Sequence, residues 1–273
     1  MTYLQEAVGR EALDTLASNL SQSEAGNGEQ IDWKERRHSL RHAAGSVIGG
    51  RTAKCGCCAI GAAVDVVQGD GGGHHFNGLE TCSSVWTCPV CAVKITEGRR
   101  TDVKAVLESH LNQGGKAAMF TLTIPHSRFD EVSSLRRAVS QSWTKVQQGA
   151  GWKAMKARAG WIGAIRALEV THGNNGWHPH LHVVVLFSKG LTEVNLNVFS
   201  DLLFDRWSRA ISQAGFGRCS KDAFSCDPIT DAEGVSKYCQ KWGVAEELTK
   251  AHIKKGRAGG RSPWQILSDI QES

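Results

Sequence analysis

The chain has 273 residues, 41% of them apolar, and a formal net charge of +5. That length can bury a sizeable core in one or two domains, and no apolar run approaches the roughly 20 residues of a membrane-spanning helix. The mild positive charge permits nucleic-acid binding without requiring it.

Residues 1–54 read as an N-terminal helical and linker region. A loosely held helix is expected over 4–20, followed by a polar stretch rich in Ser, Gly and Gln. Met1 to Leu20 has acids where a signal peptide has bases, and no apolar h-region, so a cytoplasmic protein with no membrane partner is expected. Arg36, Arg37, Arg41, Arg51 and Lys54 form a first basic cluster.

Residues 55–98 hold six of the nine cysteines, Cys55, Cys57, Cys58, Cys82, Cys88 and Cys91. A cytoplasmic chain rarely spends such a cluster on disulfides. Cys88-Pro-Val-Cys91 is a knuckle with zinc spacing, and Cys55 with Cys58 makes a second Cys-x-x-Cys. Four thiolates would close a structural Zn²⁺ site. Spacing alone favours Cys55, Cys58, Cys88 and Cys91, with Cys82 a fifth candidate. Cys219, Cys226 and Cys239 read as packing residues.

Residues 99–248 read as the main domain. Thr96 to Asn112 is helical in spacing, and Ala117 to Ile124 is a buried strand ended by Pro125. One or two helices are expected over 129–158 and strands over 162–171 and 180–187. A helix follows from Thr192 to Gln213, then a weak strand pattern near 217–229. Hairpins outnumber crossovers, which predicts an α+β fold: an antiparallel β-sheet flanked by helices, beside a small cysteine-rich zinc-binding module.

Within that domain, His178, His180 and His182 alternate along one strand and therefore share a face. His172-Gly-Asn-Asn-Gly176 before them is hairpin chemistry. With Asn174-Asn175 central, Glu169 lies opposite His180; with Asn175-Gly176 central, it lies opposite His182. Either register adds a carboxylate to the imidazoles, a donor set that holds a divalent ion with open positions for a phosphate oxygen. His178 is a further candidate ligand.

Thr230-Asp-Ala-Glu233 is a capping box that would start a helix. Val235, Tyr238 and Lys241 then fall on one face. Tyr238 is one of only two tyrosines. A nearby ammonium and a metal-bound phosphate both favour a phenolate, so the pattern points to metal-assisted phosphoryl transfer with Tyr238 as nucleophile and Lys241 beside it. Residues 249–273 form a basic tail whose Lys250, Lys254, Lys255 and Arg257 are candidate phosphate contacts.

These blocks resemble the HUH endonucleases, specifically the rolling-circle replication initiators of small plasmids. Phe120-Thr-Leu-Thr123 is similar to their first motif. Glu169-Val-Thr171 with His178-Pro-His-Leu-His182 is similar to the metal motif, and Val235 to Lys241 to the nucleophile motif. Leu79 to Cys82 with Trp86 to Cys91 is similar to their cysteine segment. The blocks stand in family order.

The resemblance implies nicking and joining of single-stranded or hairpin origin DNA through a 5′-phosphotyrosine on Tyr238. It implies catalytic Mg²⁺ or Mn²⁺ on His180 and His182, with Glu169 and His178 contending for the third place. It favours Cys82, Cys88, Cys91 and one of 55–58 for zinc. Related initiators often carry a Glu one turn before the Tyr, where this chain has Gly234; Asp231 and Glu233 are the nearby acids. No Gly-x4-Gly-Lys-Ser/Thr loop is present, so a host helicase and DNA polymerase are expected partners. The same chemistry would serve a transposase or relaxase, and a non-catalytic zinc-dependent DNA-binding protein is the remaining alternative.

Overall fold

A computed structural model describes residues 33–69, 72–229 and 260–272. The described residues fall into two compact units, 33–101 with 264–272 and 102–229 with 260–263.

In the first unit, α1 (Trp33–Ile48) and α2 (Gly50–Lys54) precede a two-stranded ribbon of β1 (Asp65–Gln68) and β2 (His74–Asn77). The sequence reading placed no strands there. α3 (Pro89–Asn112) begins seven residues before the expected Thr96. Pro89 suits the first helical position, because its missing N–H has no intrahelical partner there anyway.

The C-terminal helix packs in this unit through Trp264 and Leu267 against Ala92 and Val93. Of the first basic cluster, Arg41 is buried, Arg36 donates to Ser268 Oγ at 2.6 Å, and Arg51 donates to the Thr81 carbonyl at 3.4 Å. Arg41 is therefore no part of a solvated basic face.

The second unit is a four-stranded antiparallel sheet in the order β4-β5-β3-β6, formed by β3 (Lys116–Thr123), β4 (Trp161–Gly173), β5 (Gly176–Phe187) and β6 (Phe224–Ile229). Its helices are α4 (Val132–Val146), α5 (Gly149–Ala159) and α6 (Glu193–Gln213), the last capped by Thr192 Oγ1 accepting from Asn195 N. Alternation decides which residues face which layer.

Phe120, Leu122, Leu181, Val183, Val185 and Phe187 point into one core with Leu135, Val139, Trp143, Phe199, Leu203 and Trp207 of the helices. Ala117, Met119 and Val184 point the opposite way and meet Leu107 of α3. Further along that second face of the same strands come Glu169, His180 and His182. A 3-10 turn at Lys221–Ala223 leads into β6, and α7 (Pro263–Glu272) is the last described element.

β5 starts at Gly176, four residues before the expected position 180. β3 pairs with β5 only from His180 onward, so Pro179 has a hydrogen-bonding neighbour on one side alone. An edge position tolerates the missing N–H.

Candidate metal centres

The histidine strand is fixed by its hairpin. Gly173 pairs with Gly176, which makes Asn174-Asn175 the central residues and sets Glu169 opposite His180. Neither asparagine has positive φ; Gly176 does, at +86°. The turn is thus closed by a glycine in the left-handed region, a conformation that a side chain resists.

Glu169 Oε2 lies 2.9 Å from His180 Nε2 and 3.0 Å from His182 Nε2. Neighbouring ligands of an octahedral cation with bonds of about 2.0–2.1 Å stand about 3 Å apart, so this spacing fits one divalent ion bound by all three. Burial raises the Glu169 carboxyl, but the hydrogen bonds from His180 and His182 outweigh it and hold the group well below the usual carboxylate range. The carboxylate is therefore ionised and ready for a cation.

The other ring nitrogens complete the picture. His182 Nδ1 shares a hydrogen bond of 3.2 Å with Thr121 Oγ1, its direct cross-strand partner. That contact orients the ring and leaves Nε2 for a metal, the usual outer-shell arrangement of a metal-binding imidazole. His180 Nδ1 is buried and has no partner among the described residues. His178 is not part of that group and instead meets His126, Nδ1 to Nδ1 at 3.4 Å. Burial, then the positive potential of His180 and His126, lowers His178 to about 4, so it is a neutral imidazole at neutral pH.

Thr121 and His126 were not singled out in the sequence. Thr121 carried a signal, since it falls on the face of β3 opposite Phe120 and Leu122; His126, in a loop, carried none.

In the first unit, Cys55, Cys82, Cys88 and Cys91 are buried together. Their sulfurs stand 3.7 Å (Cys55–Cys88), 3.5 Å (Cys55–Cys91) and 3.7 Å (Cys82–Cys91) apart. Tetrahedral Zn²⁺ with Zn–S bonds of about 2.3 Å requires about 3.7–3.8 Å between sulfurs, so the four residues fit that ion. The hydrogen bond between Cys88 and Cys91 raises the first thiol and lowers the second to about 5, while burial pushes Cys55 to about 11. A cation that displaces the shared protons relieves this crowding of sulfurs.

Cys58 is not part of the cluster. Backbone hydrogen bonds explain why: Gly56 N donates to the Glu80 carbonyl at 2.7 Å and Glu80 N to the Cys58 carbonyl at 2.8 Å. That pairing carries Cys82, two residues beyond Glu80, to Cys55. Spacing alone had favoured Cys58.

Tyr238, Lys241, Asp231 and Glu233, and the tail residues Lys250, Lys254, Lys255 and Arg257, lie outside the described residues, as do the expected helices at 4–20 and from Thr230.

Residues 75–211, half of the chain, match the family described as a replication protein. Over 260 residues the chain is 27% identical to Protein rep of Streptomyces lividans, covering 76% of this chain and 57% of that protein. Over 141 residues it is 35% identical to Neomycin resistance protein of Streptomyces cyanogenus, covering 42% of this chain and 32% of that one. The chain thus spans less than two thirds of either relative. No solved structure matches.

Proposed function

The chain belongs to the replication protein family, and on that membership we propose that it initiates rolling-circle plasmid replication by nicking and rejoining single-stranded DNA at the origin. The observation that carries this reading is the convergence of His180 Nε2 and His182 Nε2 on one oxygen of Glu169, at 2.9 and 3.0 Å.

A divalent ion held there, Mg²⁺ or Mn²⁺, would supply Lewis-acid polarisation of the scissile phosphate. Tyr238 is the nucleophile. Its hydroxyl oxygen attacks phosphorus and loses its proton to solvent. The bond from phosphorus to the 3′ oxygen breaks, and that oxygen takes up a proton. The strand is left as a 5′-phosphotyrosine and a free 3′ hydroxyl, which primes synthesis. Lys241, three residues on, supplies positive charge that favours the phenolate.

Asp231 or Glu233 assists the second cleavage, which releases the strand. His178, neutral and beside His126, flanks the ligands. Lys250, Lys254, Lys255 and Arg257 hold strand phosphates. Cys55, Cys82, Cys88 and Cys91 hold a structural Zn²⁺. A host helicase opens the duplex and a host polymerase extends the 3′ end, both in the cytoplasm.

The test is covalent capture. Wild-type protein with Mn²⁺ and a pool of single-stranded oligonucleotides should yield an adduct that survives denaturing electrophoresis. Tyr238→Phe should yield none while still binding the strand. An adduct of wild-type yield in that variant would sink the assignment.

A further inference from the structure

The loop between β3 and α4 returns over the sheet face that carries the histidines. Two contacts place it there. The rings of His126 and His178 stand 4.7 Å apart, centroid to centroid. A Cβ on Gly176 would meet Arg128 Cα at 2.7 Å and the Ser127 carbonyl oxygen at 3.1 Å. His178 and His180 alternate along β5 and share a face. The Ser127–Arg128 backbone packs against Gly176, at the turn end of that strand and about 13 Å along it from His180. The tip is closed by Ser127 N donating to Asp130 Oδ2 at 2.6 Å.

This tip holds Arg128 and Phe129 out into solvent. Phe129 is 80% exposed, the most exposed large apolar side chain among the described residues. Its ring gains nothing from burial in the fold, although burial is what a phenylalanine ordinarily contributes. Arg128 Cζ lies 4.7 Å from the ring centroid. The guanidinium covers one face of the ring, and at that exposure the other face is open. An open aromatic face paired with a cation is what an unpaired nucleic-acid strand recognises: a base stacks on the ring, and a phosphate meets the guanidinium.

We propose that Phe129 and Arg128 form a docking point for single-stranded DNA at the turn end of β5, the strand that carries His180 and His182. Phe129 stacks on a base and Arg128 binds a phosphate of the same strand. The inference rests on the nuclease reading above and narrows it to where the unpaired strand lies. Stacking tolerates every base, so the contact positions the strand without reading sequence.

The experiment uses the full chain with no added Mg²⁺ or Mn²⁺ and fluorescein-labelled oligo(dT), followed by anisotropy. Phe129→Ala should weaken binding roughly tenfold, and Phe129→Trp should restore it. Arg128→Ala should lower the slope of log K against log salt by about 0.7. Ultraviolet cross-linking of a bromodeoxyuridine-substituted strand should label the peptide containing residues 126–130. Thermal melting of each variant verifies that it is folded. An unchanged dissociation constant in folded Phe129→Ala, with no label on that peptide, overturns the proposal.

Adduct formation by the wild type separates the two readings. If the adduct forms but Phe129→Ala binds as well as wild type, the docking point falls and the nuclease stands. If no adduct forms but oligo(dT) binding depends on Phe129, the docking point stands and the nuclease falls.

Discussion

His180 sits directly across the β4–β5 ladder from Glu169, and its Nε2 lies 2.9 Å from the carboxylate. The backbone pairing of two strands, not a flexible loop, sets this distance. A donor set built on paired strands is positioned more precisely than one carried on loops, which is what a metal centre requires of its ligands.

Removing one ligand should therefore be severe. Glu169→Gln and His180→Ala should each lower Mn²⁺-dependent strand cleavage on the order of a hundredfold or more. Thr121→Val, of nearly equal volume, deletes the hydroxyl that orients His182 and should weaken Mn²⁺ binding about tenfold. Single-turnover cleavage and titration calorimetry read these effects. Wild-type metal affinity in Glu169→Gln would exclude the carboxylate as a ligand.

The Glu169 contact also predicts a pH dependence in the metal-free protein. The carboxyl is held below its ordinary value of 4.5 in the fold. The unfolded chain therefore binds the proton more tightly, and this contribution is complete above that value and lost as the pH falls below it. Urea unfolding of wild type and Glu169→Gln from pH 7 to pH 3 should show a flatter acid limb in the variant. Parallel limbs would refute the sign of the shift.

The cysteine centre distinguishes two candidate ligands, Cys82 and Cys58. Cys82→Ser should lose zinc and destabilise the cysteine module, since structural zinc can contribute on the order of 10 kcal/mol to its fold. Cys58→Ser should keep a full equivalent by elemental analysis. The reverse pattern would restore the spacing-based ligand set.

Burial raises the Cys219 and Cys226 thiols to about 11. The reactive species is the thiolate, so at neutral pH both should alkylate about a hundredfold more slowly than an ordinary thiol, with rates still climbing as the pH nears 11. Among the described cysteines, exposed Cys57 should react first. Timed iodoacetamide labelling with peptide mass spectrometry gives the order, and early labelling of Cys226 would contradict it.

Much of the site was written in periodicity. Three histidines at alternate positions could only share a face of a strand, and either hairpin register put Glu169 beside them. The strands of the antiparallel sheet and the helix after Thr192 were legible for the same reason: repeats of two and of 3.6 are local, and each residue's face follows from its neighbours in the chain.

What periodicity cannot carry is which distant segments meet. The pairing of Gly173 with Gly176 decided between the two registers. The pairing of 56–58 with Glu80 brought Cys82 to Cys55 and left Cys58 outside, against its better spacing. Thr121 reached His182 across 61 positions, and His126 reached His178 across 52. Arg41, one of a run of bases in the sequence, went inward. Each of these depends on the path of the backbone between segments, and that path is fixed by core packing and ladder hydrogen bonds that couple residues far apart in the chain.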